Sequence, residues 1–244
     1  MKGIVLAGGQ GTRLRPMTYI TNKHLLPIYD RPMIEYPLQT LTKAGISEIL
    51  IVSGRDHSGH FMNYLGSGNE RGLALHYRVQ EGSGGIAEAL GLAEGFIQNE
   101  KFAVILGDNI FDEDFSETVK EFEQDISISA MLYVKDVDDP NRFGVMMFDS
   151  DGIALGVIEK PKEVVSSSAV VGLYFYNWEA FNVIKKLKPS SRGELEISDL
   201  NNWYIHNRNI RVERVKGFWS DAGTFESMNY ASNYIKTKNE QTNN

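Results

Sequence analysis

Short, almost continuously apolar runs recur along the first half of the chain, and each is followed by an amphipathic stretch. The runs cover residues 3–7, 48–53, 74–79 and 102–106; the amphipathic stretches cover 33–44, 60–65, 86–97 and 115–122. A strand without polar alternation is buried on both faces, as happens when helices cover both sides of a parallel sheet. The alternation therefore predicts an α/β fold with a doubly wound sheet. The texture changes after that. Residues 128–134, 143–148, 154–159 and 170–176 read as strands with fewer helices between them, and turn signals stand at Asp139-Pro140-Asn141 and Asp151-Gly152. They predict a mixed or antiparallel extension of a mostly parallel sheet. Helical patterns return at 178–187 and 196–207, followed by a strand at 209–215 and a last helix over 224–238. The polar tail 239–244 is expected to fray. No repeat and no Pro/Gly/Ser linker divides the 244 residues, so one domain over 1–244 is expected.

Composition removes several classes of function. The chain has no cysteine, so disulfides, thiolate nucleophiles and Cys-bound zinc are excluded. Any metal must sit on oxygen or imidazole. The five histidines are scattered without metal-ligand spacing, and His24 reads as structural. The formal net charge is −7 with Lys and Arg dispersed singly, which argues against a nucleic-acid partner. No apolar run has the length of a bilayer span, and residues 1–9 lack the charged start and long apolar core of a secretion signal. A cytoplasmic, soluble enzyme or binding protein with no membrane partner is expected. No recognisable Ser/His/Asp spacing supports covalent catalysis.

The segment Leu6-Ala7-Gly8-Gly9-Gln10-Gly11-Thr12-Arg13-Leu14 follows the first strand directly. Glycines there let the backbone turn tightly and bring N–H groups to a phosphate. A P-loop would need Gly-Lys-Ser/Thr, and a dinucleotide fingerprint a third glycine where Leu14 stands. Neither fits. Glycines alone also suit a plain β-to-α turn, but Arg13 beside them suits a triphosphate, whose charge grows as phosphorus is attacked.

Gly8-Gly9-Gln10-Gly11-Thr12-Arg13-Leu14, with Asn22-Lys23-His24-Leu25-Leu26-Pro27-Ile28 and Tyr29-Asp30-Arg31-Pro32-Met33-Ile34, resembles the signature of sugar-1-phosphate nucleotidylyltransferases. Within that family it is most like the glucose-1-phosphate thymidylyltransferases; mannose-1-phosphate guanylyltransferases carry Lys-Pro-Leu where this chain has Lys23-His24-Leu25. The resemblance runs from Met1 to about Ser232. It implies a Rossmann-like nucleotidyltransferase fold with a sugar-binding extension: a nucleotide part over about 1–125, a sugar-phosphate part over about 126–220, and a C-terminal helix over 221–238. The implied substrates are dTTP and glucose 1-phosphate, the implied cofactor Mg²⁺, and the implied assembly a homo-oligomer.

Residue by residue, the resemblance implies that Leu6, Gly8, Gly9, Gly11, Thr12, Arg13 and Lys23 hold the nucleotide. Gln80 and Gly85 would read the thymine edge, for which a side-chain amide offers a donor and an acceptor. In Leu106-Gly107-Asp108-Asn109, Asp108 sits just past a buried strand, where an Asx turn or helix cap is the competing reading. The family pairs it with an aspartate at Asp221, in Trp219-Ser220-Asp221-Ala222-Gly223-Thr224, to hold Mg²⁺. Asn109, Gly144, Glu159, Lys160, Val170 and Arg192 would bind the sugar phosphate, with Glu194 a further sugar contact. Glu159-Lys160-Pro161 and Val170–Tyr174 read otherwise as an exposed turn and a core strand. Catalysis would rest on Arg13, Lys23, Lys160 and Asp108. Glu196 and Asp199 fit equally well as first-turn acids of the next helix.

Three rival functions differ in what they require. A uridylyltransferase needs only a pocket without room for one methyl. A non-catalytic nucleotide-sugar sensor predicts loss of Arg13, Asp108 or Asp221, and all three are present. A nicotinamide oxidoreductase predicts the missing fingerprint. Longer members of the family continue past the last helix with helices that build an allosteric site and subunit contacts; this chain stops at Asn244, which puts product feedback and a tetramer in question.

Overall fold

The computed structural model describes residues 1–242. In chain order the strands are β1 (Lys2–Ala7), β2 (Pro27–Ile28), β3 (Arg31–Pro32), β4 (Glu48–Gly54), β5 (Ala74–Gln80), β6 (Phe102–Leu106) and β7 (Ile110–Phe111). Then come β8 (Ala130–Asp136), β9 (Gly144–Phe148), β10 (Ala154–Glu159), β11 (Ser168–Tyr176), β12 (Ile210–Arg214) and β13 (Trp219–Ser220). The helices are α1 (Glu35–Lys43), α2 (Ser58–Leu65), α3 (Ile86–Gly91), α4 (Glu94–Ile97), α5 (Ser116–Gln124), α6 (Glu179–Ile184), α7 (Ile197–Asn207) and α8 (Phe225–Thr242).

One sheet runs in the order β10-β9-β11-β6-β1-β4-β5, with β8 on β11 and β12 on β8. β1 lies between β4 and β6, all parallel, and β5 continues them. β11 turns the sheet antiparallel against β6 and carries the β9–β10 hairpin and β8. This is the mixed, doubly wound sheet expected.

Alternation along each strand decides what the two faces bury. Ile4 and Leu6, Leu50 and Val52, and Phe102 and Val104 join one core with Leu90 of α3, Phe181 of α6 and Leu200 of α7. Val5 and Ala7, Ile49 and Ile51, and Ala103 and Ile105 join the other with Leu38 and Leu41 of α1, Phe61 of α2 and Phe122 of α5. A third, smaller cluster holds Ile28, Met33, Tyr36, Ile110 and Ala222 against Ala231 of α8.

The differences from expectation have local causes. The helix expected over 86–97 is divided: α3 ends at Gly91, and Ala93 N–H turns back to the Leu90 carbonyl at 3.0 Å before α4 begins. A glycine inside a helix costs about 0.5–1 kcal/mol relative to alanine, which favours a break there. α8 runs on through residues 239–242, part of the tail expected to fray; Asn243 and Asn244 lie outside the described residues. Tyr234 and Lys238 anchor that helix on Asp112, and Tyr234 stacks on Phe218 with ring centroids 3.8 Å apart. Among the described residues no helix is long and apolar enough to cross a membrane.

Candidate active site

The carboxyl ends of β1, β5 and β6 open on one cavity of about 540 Å³, where open α/β sheets place their ligands. Every residue that the resemblance assigned to binding, metal or catalysis lines it. Leu6, Gly8, Gly9, Gly11, Thr12 and Arg13 come from the end of β1, Lys23 from the turn that follows, and Gln80 and Gly85 from the end of β5. Asp108 and Asn109 follow β6; Gly144, Glu159, Lys160 and Val170 come from β9 to β11; Arg192 precedes α7 and Asp221 follows β13.

The phosphate-loop glycines have local reasons to be glycine. Gly9 and Gly11 take φ of 90° and 58°. The Gly11 carbonyl accepts from Leu14 N–H (2.9 Å) and Thr18 Oγ (2.8 Å), and a Cβ at Gly11 would lie 2.8 Å from the Thr18 methyl. The 3₁₀ turn Thr12–Leu14 then buries Leu14 and leaves Arg13 exposed to the cavity. A Cβ at Gly223 would lie 3.1 Å from the Arg13 guanidinium. The loop and the segment after β13 therefore meet.

Lys23 is set by a second 3₁₀ turn, Lys23–Leu25, capped by Asn22, whose Oδ1 accepts from His24 N–H at 2.9 Å. Lys23 Nζ is ion-paired to Asp108. His24 is buried behind it, its Nδ1 2.7 Å from the same Asn22 oxygen. Burial, reinforced by the Lys23 charge, pushes the His24 imidazole down to about 3, so it is neutral at pH 7. Gly107 makes room for that ring: a Cβ there would lie 2.7 Å from His24 Cδ2.

A two-residue ladder brings the aspartates together. β7 and β13 pair antiparallel, Trp219 with Phe111 and Ser220 with Ile110, which sets Asp221 against the Asp108–Asn109 end of β7. Burial would raise the Asp108 carboxyl, but the Lys23 charge and hydrogen bonds from Lys23 and Asn109 hold it below the ordinary range. Asp221 moves the other way. Burial and the negative charge of Asp108 raise it, against the pull of Arg142 and Arg13. Arg142 Nη2 donates to Asp221 Oδ2 at 2.8 Å.

At the β5 end, Gln80 is 5% exposed and its Nε2 donates to the Gly85 carbonyl at 3.3 Å. Gly85 has φ 102°, and a Cβ there would stand 2.5 Å from the Leu195 carbonyl oxygen. Leu195 N–H donates to Gly84 (2.7 Å) and its carbonyl accepts from Ala87 N–H (3.1 Å). The chain's own backbone thus demands glycine at 85, a reason the sequence reading did not contain.

At the end of β10, Glu159 accepts from Ser198 Oγ and, at 3.4 Å, from Arg192, with Lys160 Nζ 3.8 Å away. Gly144 leaves room for that group: a Cβ there would lie 3.2 Å from Glu159 Oε2. Arg192 also pairs with Glu194 at 2.6 Å and lies 3.7 Å from Glu196, so a phosphate must compete with three carboxylates for it. Val170 pairs with Val134, and the β11 ladder is irregular between Val170 and Tyr174. That irregularity frees Gly172 N–H to reach Asn109 Oδ1 at 2.8 Å. The same oxygen accepts from Trp219 Nε1 at 2.7 Å, while Asn109 Nδ2 donates to Asp108 Oδ1 at 3.0 Å. Asn109 therefore fastens β11, β13 and Asp108 to one another.

Residues 2–238 match the nucleotidyl transferase family. The glucose-1-phosphate thymidylyltransferase of Neisseria gonorrhoeae is 45% identical over 240 residues, 97% of this chain and 83% of its own. The chain belongs to the nucleotidyl transferases, among the glucose-1-phosphate thymidylyltransferases. The enzyme of that name from Mycobacterium tuberculosis is 40% identical over the same shares. A crystal structure of a Bacillus anthracis protein described as a glucose-1-phosphate thymidylyltransferase, solved with a sucrose, has a TM-score of 0.91 at 47% identity, covering 96% of this chain and 94% of that one. A UDP-glucose pyrophosphorylase complexed with UDP-glucose has a TM-score of 0.85 at 26% identity, covering 97% and 98%. The resemblance drawn from the motifs and the expected fold class both hold.

Nucleotidyl transferases of this kind are in general divalent-metal dependent, and the donor set here fits such an ion. Asp108 and Asp221 are hard oxygen donors that repel one another across the cavity. Among the described residues no cluster of three or more His, Cys, Asp or Glu is gathered. Magnesium asks for no more, since one or two carboxylates plus substrate phosphates and waters satisfy it. Sequence reasoning gave no role to several wall residues of this nucleotidyl transferase: Arg142, Tyr174, Ser198, Asn201 and Trp219. Trp219 lay inside the block that carries Asp221 and was within reach of notice.

Proposed function

We propose that the chain transfers a thymidylyl group from dTTP to glucose 1-phosphate, giving dTDP-glucose and pyrophosphate with Mg²⁺. What carries this reading is a single cavity lined by the Gln80 amide, by Arg13, Lys23 and the two aspartates, and by Glu159, Lys160 and Arg192. Strands before about residue 125 would serve the nucleotide, and those after it the sugar phosphate.

A phosphate oxygen of the sugar phosphate attacks the α-phosphorus; the bond to the bridging β-phosphate oxygen breaks, and pyrophosphate leaves with that electron pair. The attacking oxygen is ionised already, because a phosphate monoester has a second pKa near ~6, so no general base is needed. The chain's task is to align two anions that repel each other, and positioning supplies roughly 7–11 kcal/mol in good cases. Lys160 and Arg192 carry the attacking phosphate. Arg13, Lys23 and the loop amides face the triphosphate, where charge grows. Gln80 offers its donor and acceptor to the thymine edge. Glu159, fixed by Ser198, accepts from sugar hydroxyls. Mg²⁺ on Asp108 and Asp221 would add positive charge against the phosphate oxygens.

The test is pyrophosphate release with each nucleoside triphosphate against several sugar 1-phosphates. Release is expected to be fastest with dTTP and glucose 1-phosphate. One methyl is worth about 1–3 kcal/mol, so UTP should trail by roughly 10–200-fold. A preference for UTP makes the chain a uridylyltransferase, and no release with any pair makes it a non-catalytic binder.

A further inference from the structure

Both carboxylates assigned to the metal are already engaged by cations of the chain. Asp108 pairs with Lys23 through Oδ2 and accepts from Asn109 at 3.0 Å through Oδ1. Asp221 pairs with Arg142 through Oδ2 at 2.8 Å. Arg142 ends the 3₁₀ turn Pro140–Arg142, and its guanidinium lies 5.2 Å from the Phe143 ring centroid. Phe143 in turn meets Trp219, ring centroids 5.5 Å apart, two residues before Asp221. Packing thus aims the guanidinium at Asp221 from the same wall that carries the carboxylate. Arg142 and Lys23 also line the cavity beside Arg13 and the glycine loop, within the space a polyphosphate would fill.

We infer that Arg142 is an internal counter-ion that disfavours metal at Asp221 until nucleotide arrives. Its guanidinium occupies an oxygen that a divalent cation would use, and its charge repels that cation. A polyphosphate offers Arg142 and Lys23 another anion and releases both carboxylates. Metal and nucleotide are then coupled, and the coupling is reciprocal: each tightens the other by the same factor. Arg142 acts here through Asp221 as a positioning residue. The inference rests on the proposed metal site, and the test separates the two.

Mn²⁺ is titrated into the nucleotide-free full-length protein, free ion being followed by electron paramagnetic resonance, for the wild type, Arg142→Gln, Arg142→Lys and Arg142→Gln/Asp221→Asn. Arg142→Gln should bind Mn²⁺ at least tenfold more tightly than the wild type, Arg142→Lys should stay near the wild type, and the double variant should lose the gain. A tightening cannot come from misfolding. Equal affinity in wild type and Arg142→Gln overturns the counter-ion role while leaving the metal site standing. Absence of protein-bound Mn²⁺ in every variant, with dTTP added as well, overturns both.

Discussion

Arg13, Asp108 and Asn109 line one wall and make three different predictions. Arg13→Ala should lower turnover about 10²–10³-fold, the usual scale for one donor aimed at developing charge, while dTTP affinity changes much less. Steady-state kinetics beside equilibrium dTTP binding would show it, and equal losses would reduce Arg13 to a binding contact. Asp108→Asn should abolish magnesium-dependent activity with the circular dichroism spectrum unchanged; retained activity would remove the metal assignment. Asn109→Ala leaves the Gly172 N–H and the Trp219 indole N–H without their acceptor. Each stranded donor costs about 1–3 kcal/mol, which a shifted urea midpoint would register. At this scale the sequence was legible where chemistry is contiguous: glycines, a threonine and an arginine in one stretch announce a phosphate. The Lys23–Asp108 and Arg142–Asp221 pairs were not, because no local pattern tells one lysine or arginine which distant carboxylate it meets.

Elements show the same division. The strands β1, β4 and β6 of the parallel core were readable, since burial on both faces leaves four or five apolar residues in a row; β5, at the sheet edge, departs from that expectation, with His76 and Arg78 in its run and only Leu75 and Gln80 buried. The β7–β13 ladder was not readable, because two residues cannot display a period, yet this pairing brings Asp221 to Asp108. Helix α8 could be seen but not its anchor. The Asp112 carboxyl is raised by burial, but hydrogen bonds from Lys238 and Tyr234 outweigh that and hold it below its ordinary range. Its stabilising contribution is therefore complete above the unfolded value near ~3.9 and is lost as pH falls through the lower folded value. The protection of α8 amides, taken relative to their intrinsic exchange rate, should fall below about pH 4, and Asp112→Asn should remove that acid dependence. The pair is partly exposed, so the effect belongs to the ~1 kcal/mol class.

For the molecule as a whole, two cores on opposite faces of one sheet follow from alternation that each strand carries in its own residues. Binding that reaches only the folded form adds stability by mass action: dTTP with Mg²⁺ at about 100 times its dissociation constant should add about 2.7 kcal/mol. For a chain of this length that is a rise of roughly 5–10 °C in the thermal midpoint, and no rise with dTTP would contradict nucleotide binding in the cavity. The backbone bonds from Leu195 to Gly84 and Ala87 carry a further consequence. They rivet the segment carrying Gly85 to the segment bearing Arg192, so under the proposed function the span from nucleobase to hexose would be gauged by inextensible main chain. On that reading, an acceptor whose phosphate sits elsewhere on the ring would arrive out of register with the α-phosphorus, and glucose 6-phosphate is expected to give no pyrophosphate release where glucose 1-phosphate does.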